Sequence, residues 1–369
     1  MLNARAAVVL DAGTDPQLTD VQIREPVADE VLVQIDAVGI CHTDVSVAAR
    51  FRKLPMVFGH EGAGTVIQVG PDAGPRVGDQ VVLTFASCGA CPNCRGGAPA
   101  YCLRSTELNM RGGTHDHSSA LHRDGTPIGG GFFGQSSFCT YALAGTRNTV
   151  VLPEPIDPAL AAPLGCSVQT GVGAVLNVIA PSPQDALVVF GAGAVGLSAV
   201  MGARIAGCTT IVAVDPIARR RELATELGAT ATVDPLAGEV APAVLELTGG
   251  AAAAIDTTAR PEVLSTAIGV LRARGTLALL GLGALTAELP VAAIMGNGLT
   301  VRGVVEGDSE PQTFLPHLVE LHRRGDLPLE KFVSRYRFAD FDRAWAAAKA
   351  ADVVKPVLLT DAAPTAAAS

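Results

Sequence analysis

An α/β fold in two parts is predicted, a strand-rich first part and a doubly wound parallel sheet in the second, and three features of the sequence carry that reading. The opening third holds short Val/Ile/Leu runs at 6–10, 30–37, 64–69 and 80–84, parted by Gly, Pro and Asp. That spacing belongs to strands and turns, and Gly78-Asp79 ahead of Gln80-Val81-Val82 reads as a turn feeding a strand. From about residue 168 the rhythm becomes one of strands alternating with helices, which implies a parallel sheet covered on both faces. The length, 369 residues, suggests two domains and supplies chain for two cores.

Within the second part, 187–190 reads as a buried strand. Gly191-Ala192-Gly193-Ala194-Val195-Gly196 follows and opens a helix to about residue 206. A second strand at 211–214 ends at Asp215, and a helix at 218–227 stops at Gly228. Further strands are expected at 231–233, 253–255, 276–280 and 299–301. A helix at 314–323 and a last strand at 356–359 close the chain. Residues 103–135 read as a long loop-like insertion rich in Gly, Ser and His. The expected division is 1–167, 168–310, and a return of 311–369 to the first domain.

Acidic residues outnumber basic ones, 36 to 27, for a net charge of −9, which argues against a nucleic-acid partner. Mean hydropathy is +0.35, yet no uninterrupted apolar run reaches the ~18–20 residues of a membrane span. The apolar surplus is Ala, Val and Leu, suited to buried parallel strands. No charged-then-apolar leader precedes Ala6-Ala7-Val8-Val9-Leu10, so a reducing cytoplasm is the expected compartment.

Four of the eight cysteines, Cys88, Cys91, Cys94 and Cys102, fall within fifteen residues. Two-residue gaps turn successive thiolates toward one ion, and a longer excursion returns the fourth. Zinc held by four sulfurs at about 2.3 Å needs that convergence and leaves no position for substrate. A disulfide set is the alternative, disfavoured by the sparse cysteine content. This lobe is therefore expected to be structural.

The glycine pattern after the strand at 187–190 has the context of a dinucleotide fingerprint, with Asp215 placed 24 residues after Gly191 at a strand end. Gly191 permits the tight turn, Gly193 the approach of a pyrophosphate, and Gly196 close packing of the helix on the sheet. Asp215 would accept hydrogen bonds from the adenosine ribose and repel a 2′-phosphate, which favours NAD over NADP. Arg219 and Arg220 argue the other way, because a guanidinium welcomes phosphate.

Three separated pieces supply ligands of catalytic type: Cys41 in Gly-Ile-Cys-His-Thr-Asp, His60 in Gly-His-Glu-Gly-Ala-Gly, and Cys166 in Pro-Leu-Gly-Cys-Ser. A Cys₂His set leaves one zinc position open. On these motifs, with the four-cysteine lobe, Thr170 and Gly191–Gly196, the chain resembles the zinc-dependent medium-chain alcohol dehydrogenases over nearly its full length. The segments 132–138 and 302–308 resemble the aryl (benzyl) alcohol dehydrogenase branch.

The resemblance implies a GroES-like β-rich catalytic domain with a Rossmann domain, two Zn²⁺ per chain and NAD. It assigns Cys41, His60 and Cys166 to catalytic zinc, Glu61 to a carboxylate that approaches the ion, and Asp44 to the partner orienting His60. It places His42, Thr170, Val195, Arg220 and Lys355 at the cofactor; His42 and Lys355 are equally compatible with exposed polar side chains. Thr43 would take the alcohol proton. Ser46 stands where many relatives carry a relay histidine, so the exit of that proton is open.

The implied reaction is oxidation of a primary benzylic or allylic alcohol to an aldehyde in a homodimer or homotetramer. Its rivals are a thiol-adduct (formaldehyde) dehydrogenase, a polyol dehydrogenase, a zinc-free quinone reductase and a silent redox-sensing or scaffold protein. Cys139 and Cys208 read as buried thiols, His115, His117 and His122 as solvated. Phe51, Phe85 and Phe133 are candidates for an aromatic pocket or for core.

Overall fold

The computed structural model describes residues 1–53, 55–110 and 119–360. The chain divides into two compact units.

The first unit is built on two largely antiparallel sheets, with Val333–Arg337 and Lys355–Leu359 pairing in parallel. Its larger sheet runs in the order Thr149–Val151, Gln80–Leu83, Glu61–Val69, Glu30–Gly39, Lys355–Leu359, Val333–Arg337, with Tyr141–Gly145 also paired to Glu30–Gly39. Near-continuous buried runs along Glu30–Gly39 and Gln80–Leu83 let these strands share one core with a smaller sheet of Met56–Val57, Leu2–Val9, Gln17–Ile23, Leu121–Arg123 and Thr126–Ile128. Val33, Ile35, Phe58, Phe138 and Trp345 lie in that core. Register matters for the chemistry: Gly39 pairs with Glu61 on one side and with Val357 on the other. Strands distant in sequence are thereby made neighbours at one end of the sheet.

The second unit is a six-stranded, wholly parallel sheet in the order Ala231–Val233, Thr210–Val214, Ala186–Phe190, Ala251–Asp256, Leu271–Leu279, Thr300–Gly303. Its central strands are buried on both faces, as their continuous Val/Ala/Ile runs require. The order reverses between Ala186–Phe190 and Ala251–Asp256, which makes that junction the topological switch point.

Two expectations are corrected. Residues 322–331 belong with the parallel-sheet unit, not with the returning tail. The carbonyl of Asp326 accepts from Arg204 Nη2 at 2.6 Å, and Lys331 reaches Glu226 at 3.5 Å. The tail rejoins the first unit from Phe332. The segment 103–135 is not simply a loop. It contains the helix Ser105–Met110 and a hairpin, Leu121–Arg123 with Thr126–Ile128, turned by Asp124 and Gly125 at φ 50° and 73°. His122 lies on that hairpin and is half-buried rather than solvated, its Nδ1 buried without a hydrogen-bond partner among the described residues; His115 and His117 fall outside those residues.

Candidate metal and nucleotide sites

Cys41 begins the short helix His42–Ala48 at the end of the strand Glu30–Gly39. His60 immediately precedes the strand Glu61–Val69, and Cys166 ends the turn Ala162–Gly165. One ligand atom from each of Cys41, His60, Glu61 and Cys166 lies within 4.8 Å of every other, and all four residues are buried. The turn carrying Cys166 is tied back to the sheet by Thr84, whose hydroxyl donates to Gly165 O at 2.8 Å.

Asp44 organises the other two ligands. Its Oδ2 accepts from the Cys41 amide at 3.0 Å, and its Oδ1 accepts from the Gly59 amide at 3.1 Å and contacts His60 Nδ1 at 2.8 Å. The ring is thus fixed with Nε2 turned away from Asp44. That Nε2 is buried and has no hydrogen-bond partner among the described residues. A buried orphan nitrogen costs free energy unless something occupies it, and a divalent cation between two sulfurs does so. Burial opposes the imidazolium, but the Asp44 carboxylate outweighs it and lifts the His60 pKa well above its usual value. The Cys41 thiol is held well below its ordinary range. The hydrogen bond with Cys166 is the largest single cause, and the Lys355 and His60 charges add to it against burial. Two cysteine sulfurs, that of Cys41 drawn toward thiolate, and an oriented imidazole form the donor set of an open zinc site.

The four-cysteine lobe is a second such set, again within 4.8 Å. Backbone amides of Cys91 and Arg104 donate to the Cys88 and Cys102 sulfurs at 3.3 and 3.4 Å, and amide donors hold the Cys88 thiol below its ordinary range. Amide donors, that of Cys94 foremost, draw Cys91 down to about 6, while burial and neighbouring sulfurs push Cys94 up to about 12. Four sulfurs so close cannot all ionise without a cation among them, a charge that a zinc ion would supply. Asn109 ties the lobe to the helix Ser105–Met110, accepting from the Ala86 amide at 2.8 Å and donating to the Ala86 carbonyl at 3.0 Å.

In the parallel-sheet unit, Gly191 sits at φ 91°, where only glycine is at ease. A Cβ at Gly193 would meet nothing within 4 Å, whereas one at Gly196 would collide with Gly191 O. The space beside Gly193 and the close packing at Gly196 are what a pyrophosphate-binding turn needs. The first bond within the helix Ala194–Ile205 is donated by Leu197, so the amides of Ala194, Val195 and Gly196 precede it at the positive end of the helix. Asp215 is buried, its oxygens accepting from the Ala192 and Ile217 amides at 2.7 and 2.8 Å. Each oxygen keeps acceptor capacity for a ribose hydroxyl.

Residues 27–154 match the alcohol dehydrogenase GroES-like domain, and residues 194–321 match the zinc-binding dehydrogenase domain. Over 365 residues, 97% of this chain and 98% of the relative, it is 41% identical to the geraniol dehydrogenase of Castellaniella defragrans. The chain belongs to the zinc-dependent alcohol dehydrogenase family. The alcohol dehydrogenase zinc-binding domain protein of Burkholderia ambifaria shares its fold at TM-score 0.95 and 44% identity, over 97% of this chain and 99% of that one. The benzyl alcohol dehydrogenase of Acinetobacter calcoaceticus does so at 0.94 and 37%, over 98% and 100%. As a family member, the protein is a zinc-binding oxidoreductase.

Within this alcohol dehydrogenase, one residue is not where it was expected. Lys355, assigned to the cofactor phosphates, is 2% exposed on the strand Lys355–Leu359. Its ammonium donates to both Glu61 oxygens at 2.8 and 2.9 Å and to Ile40 O at 3.3 Å. With three donors so committed, it has none left for a phosphate. Burial alone would lower its pKa, but the Glu61 carboxylate outweighs burial and raises it. Glu61 is pushed up by its own burial, with Lys355 pulling the other way. Arg219 is exposed, and Arg221, overlooked in the sequence, anchors the Asp215 strand end by donating to its carbonyl at 2.7 Å.

Gln135 was also missed. It accepts from the Gly62 amide and donates to His60 O and Thr84 O, at 3.0–3.2 Å, bracing the segments that carry the ligands. Phe133 stacks on the His60 ring, with centroids 4.5 Å apart, and holds φ 52°. Phe85 is buried, and Phe51 packs edge-on against Phe58. Cys139 and Cys208 are buried.

Proposed function

We propose that this alcohol dehydrogenase oxidises primary benzylic or allylic alcohols to aldehydes, reversibly, with transfer of hydride to NAD. The observation that carries the reading is the buried Cys41–His60–Cys166 cluster with an orphaned His60 Nε2. Zinc, when bound, supplies the Lewis acidity that acidifies an alcohol hydroxyl or polarises a carbonyl, and the nicotinamide supplies the hydride acceptor. Cys41, His60 and Cys166 would hold that zinc, and the four-cysteine lobe a second, for two per chain. Asp44 fixes the His60 ring, leaving Nε2 without a hydrogen-bond partner among the described residues and available to hold the ion.

Thr43 takes the alcohol proton at its hydroxyl. Ser46 supports an exit route, since its Oγ lies 2.9 Å from Nε2 of the exposed His42. A proton reaching Ser46 thus has an imidazole beside it that opens to solvent. Preference for an unsaturated or aromatic alcohol is supported by Phe133, a partly exposed ring against a zinc ligand, and by the substrates named for the geraniol and benzyl alcohol relatives. NAD over NADP is supported by the Asp215 carboxylate at the end of the strand Thr210–Val214.

A homodimer or homotetramer through the parallel-sheet unit also belongs to this reading. The edge strand Thr300–Gly303 has a sheet neighbour on one side only, and Leu285, Val291 and Met295 are exposed in the same unit. A panel of benzyl, cinnamyl, geranyl and short aliphatic alcohols with NAD and NADP, followed by nicotinamide absorbance, tests the function. Turnover of the unsaturated alcohols with NAD is expected. Activity confined to formaldehyde with a free thiol, or none on the panel, would overturn it.

A further inference from the structure

The turn following the last strand of the parallel sheet is held in a conformation that its side chains resist. Glu306, Gly307 and Asp308 lie at φ 49°, 66° and 51°, three successive left-handed residues of which only one is glycine. Such positions cost a non-glycine residue about 1 kcal/mol or more each and persist only where the surroundings impose them. Here they do. Glu306 is 6% exposed, and its Oε2 accepts from Gln169 Nε2 at 3.0 Å and from Thr170 Oγ1 at 3.3 Å. The Ser309 hydroxyl donates to Gln169 Oε1 at 2.8 Å, and Asn177 Nδ2 donates to Gly307 O at 2.9 Å. A Cβ on Gly307 would strike the Gln169 carbonyl. The turn is therefore bolted to the helix Ser167–Gly173. A buried glutamate in a left-handed turn is an expensive way to close a loop that asparagine or glycine would close more easily.

Topology says what the turn faces. A dinucleotide lies across the carboxyl ends of the strands, one half on each side of the switch point. Gly191, Gly193 and Asp215 occupy the first half, the adenosine side. A nicotinamide half would accordingly lie over the ends of Ala251–Asp256, Leu271–Leu279 and Thr300–Gly303, and residues 304–308 leave the last of these. An oxidised nicotinamide is a cation and a reduced one is neutral, so a carboxylate beneath that half distinguishes them.

We infer that Glu306 is a positioning residue of the nicotinamide seat: its carboxylate holds Thr170 and the 306–308 turn in place, and favours the cationic oxidised ring over the neutral reduced one. This rests on the nicotinamide reading of the parallel-sheet unit.

The test is Glu306→Gln in the zinc-loaded enzyme. NADH is titrated by its fluorescence, NAD⁺ by competition, and ADP-ribose serves as a probe lacking the nicotinamide. The dissociation constant for NAD⁺ is expected to rise on the order of tenfold and that for NADH less than about threefold, with ADP-ribose unchanged. Glu306→Asn, which keeps left-handed tolerance while losing the charge, should shift the same ratio even if the glutamine variant fails to fold. Equal loss for both redox forms, or no change in either, overturns the inference. If the wild type binds NADP⁺ and NADPH but neither NAD⁺ nor NADH, the NAD reading falls. The same ratio measured on that pair then decides the role of Glu306.

Discussion

Removing Lys355 should damage this protein far more than removing an ordinary lysine, and removing its partner as well should repair most of the harm. The ammonium and the Glu61 carboxylate meet at 2.8 and 2.9 Å, with 2% and 0% of their side chains exposed. At an effective dielectric constant of about 20, that separation corresponds to a gross attraction of about 6 kcal/mol, offset by the desolvation of both ions. Breaking a buried pair leaves one charge uncompensated and typically costs about 3–5 kcal/mol, whereas replacing both partners by neutral groups is often close to neutral. Lys355→Met is therefore expected to lower the unfolding free energy of the zinc-loaded protein by about 3–5 kcal/mol. The Glu61→Gln/Lys355→Met double variant should recover at least about 2 kcal/mol of the summed single losses. Urea denaturation of the wild type, both single variants and the double variant closes the cycle. A Lys355→Met loss below about 1 kcal/mol, or single losses that simply add, would refute the pairing argument.

Asp44→Asn replaces an acceptor of three hydrogen bonds by a side chain whose NH2 must face at least one backbone N–H donor, so at least one of those bonds is lost. Affinity for one zinc should fall about 10–100-fold, measured by chelator competition, while the second zinc stays bound. Phe133→Ala removes the ring stacked on His60 and should weaken kcat/KM for benzyl alcohol about threefold to tenfold more than for ethanol; equal losses would place Phe133 in the core alone. Met295→Asp puts a charge on an exposed apolar helix, Val291–Gly296, and is expected to shift the mass measured by light scattering toward the monomer.

What was legible in the sequence was whatever depends on local spacing. The cysteine lobe needs four thiols within one short loop, and the glycine turn needs three glycines and a strand on one side of it. Both are local patterns, and the structure builds them as read. The Cys41 and His60 segments could be joined to Cys166 only through resemblance, since no local spacing links them to a residue over a hundred positions away. Partnerships set by sheet register left no such trace. Lys355 reaches Glu61 only because the strands Glu61–Val69 and Lys355–Leu359 flank the same Gly39, a pairing that spans 294 residues. Gln135 escaped notice for the same reason: its partners Gly62 and Thr84 are neighbours in space alone. The strand Gln17–Ile23 was overlooked because only Val21 and Ile23 of its residues are buried, too short an apolar alternation to stand out, although it pairs on both sides in its sheet.

Metal content tests the central claim most directly. Elemental analysis of the purified wild type should return two zinc ions per chain. Cys166→Ser should retain one and lose dehydrogenase turnover, whereas Cys94→Ser should lose the other and keep the zinc bound by His60. A wild type with a single zinc that survives Cys166→Ser unchanged would contradict the assignment of Cys41, His60 and Cys166 as the reactive centre.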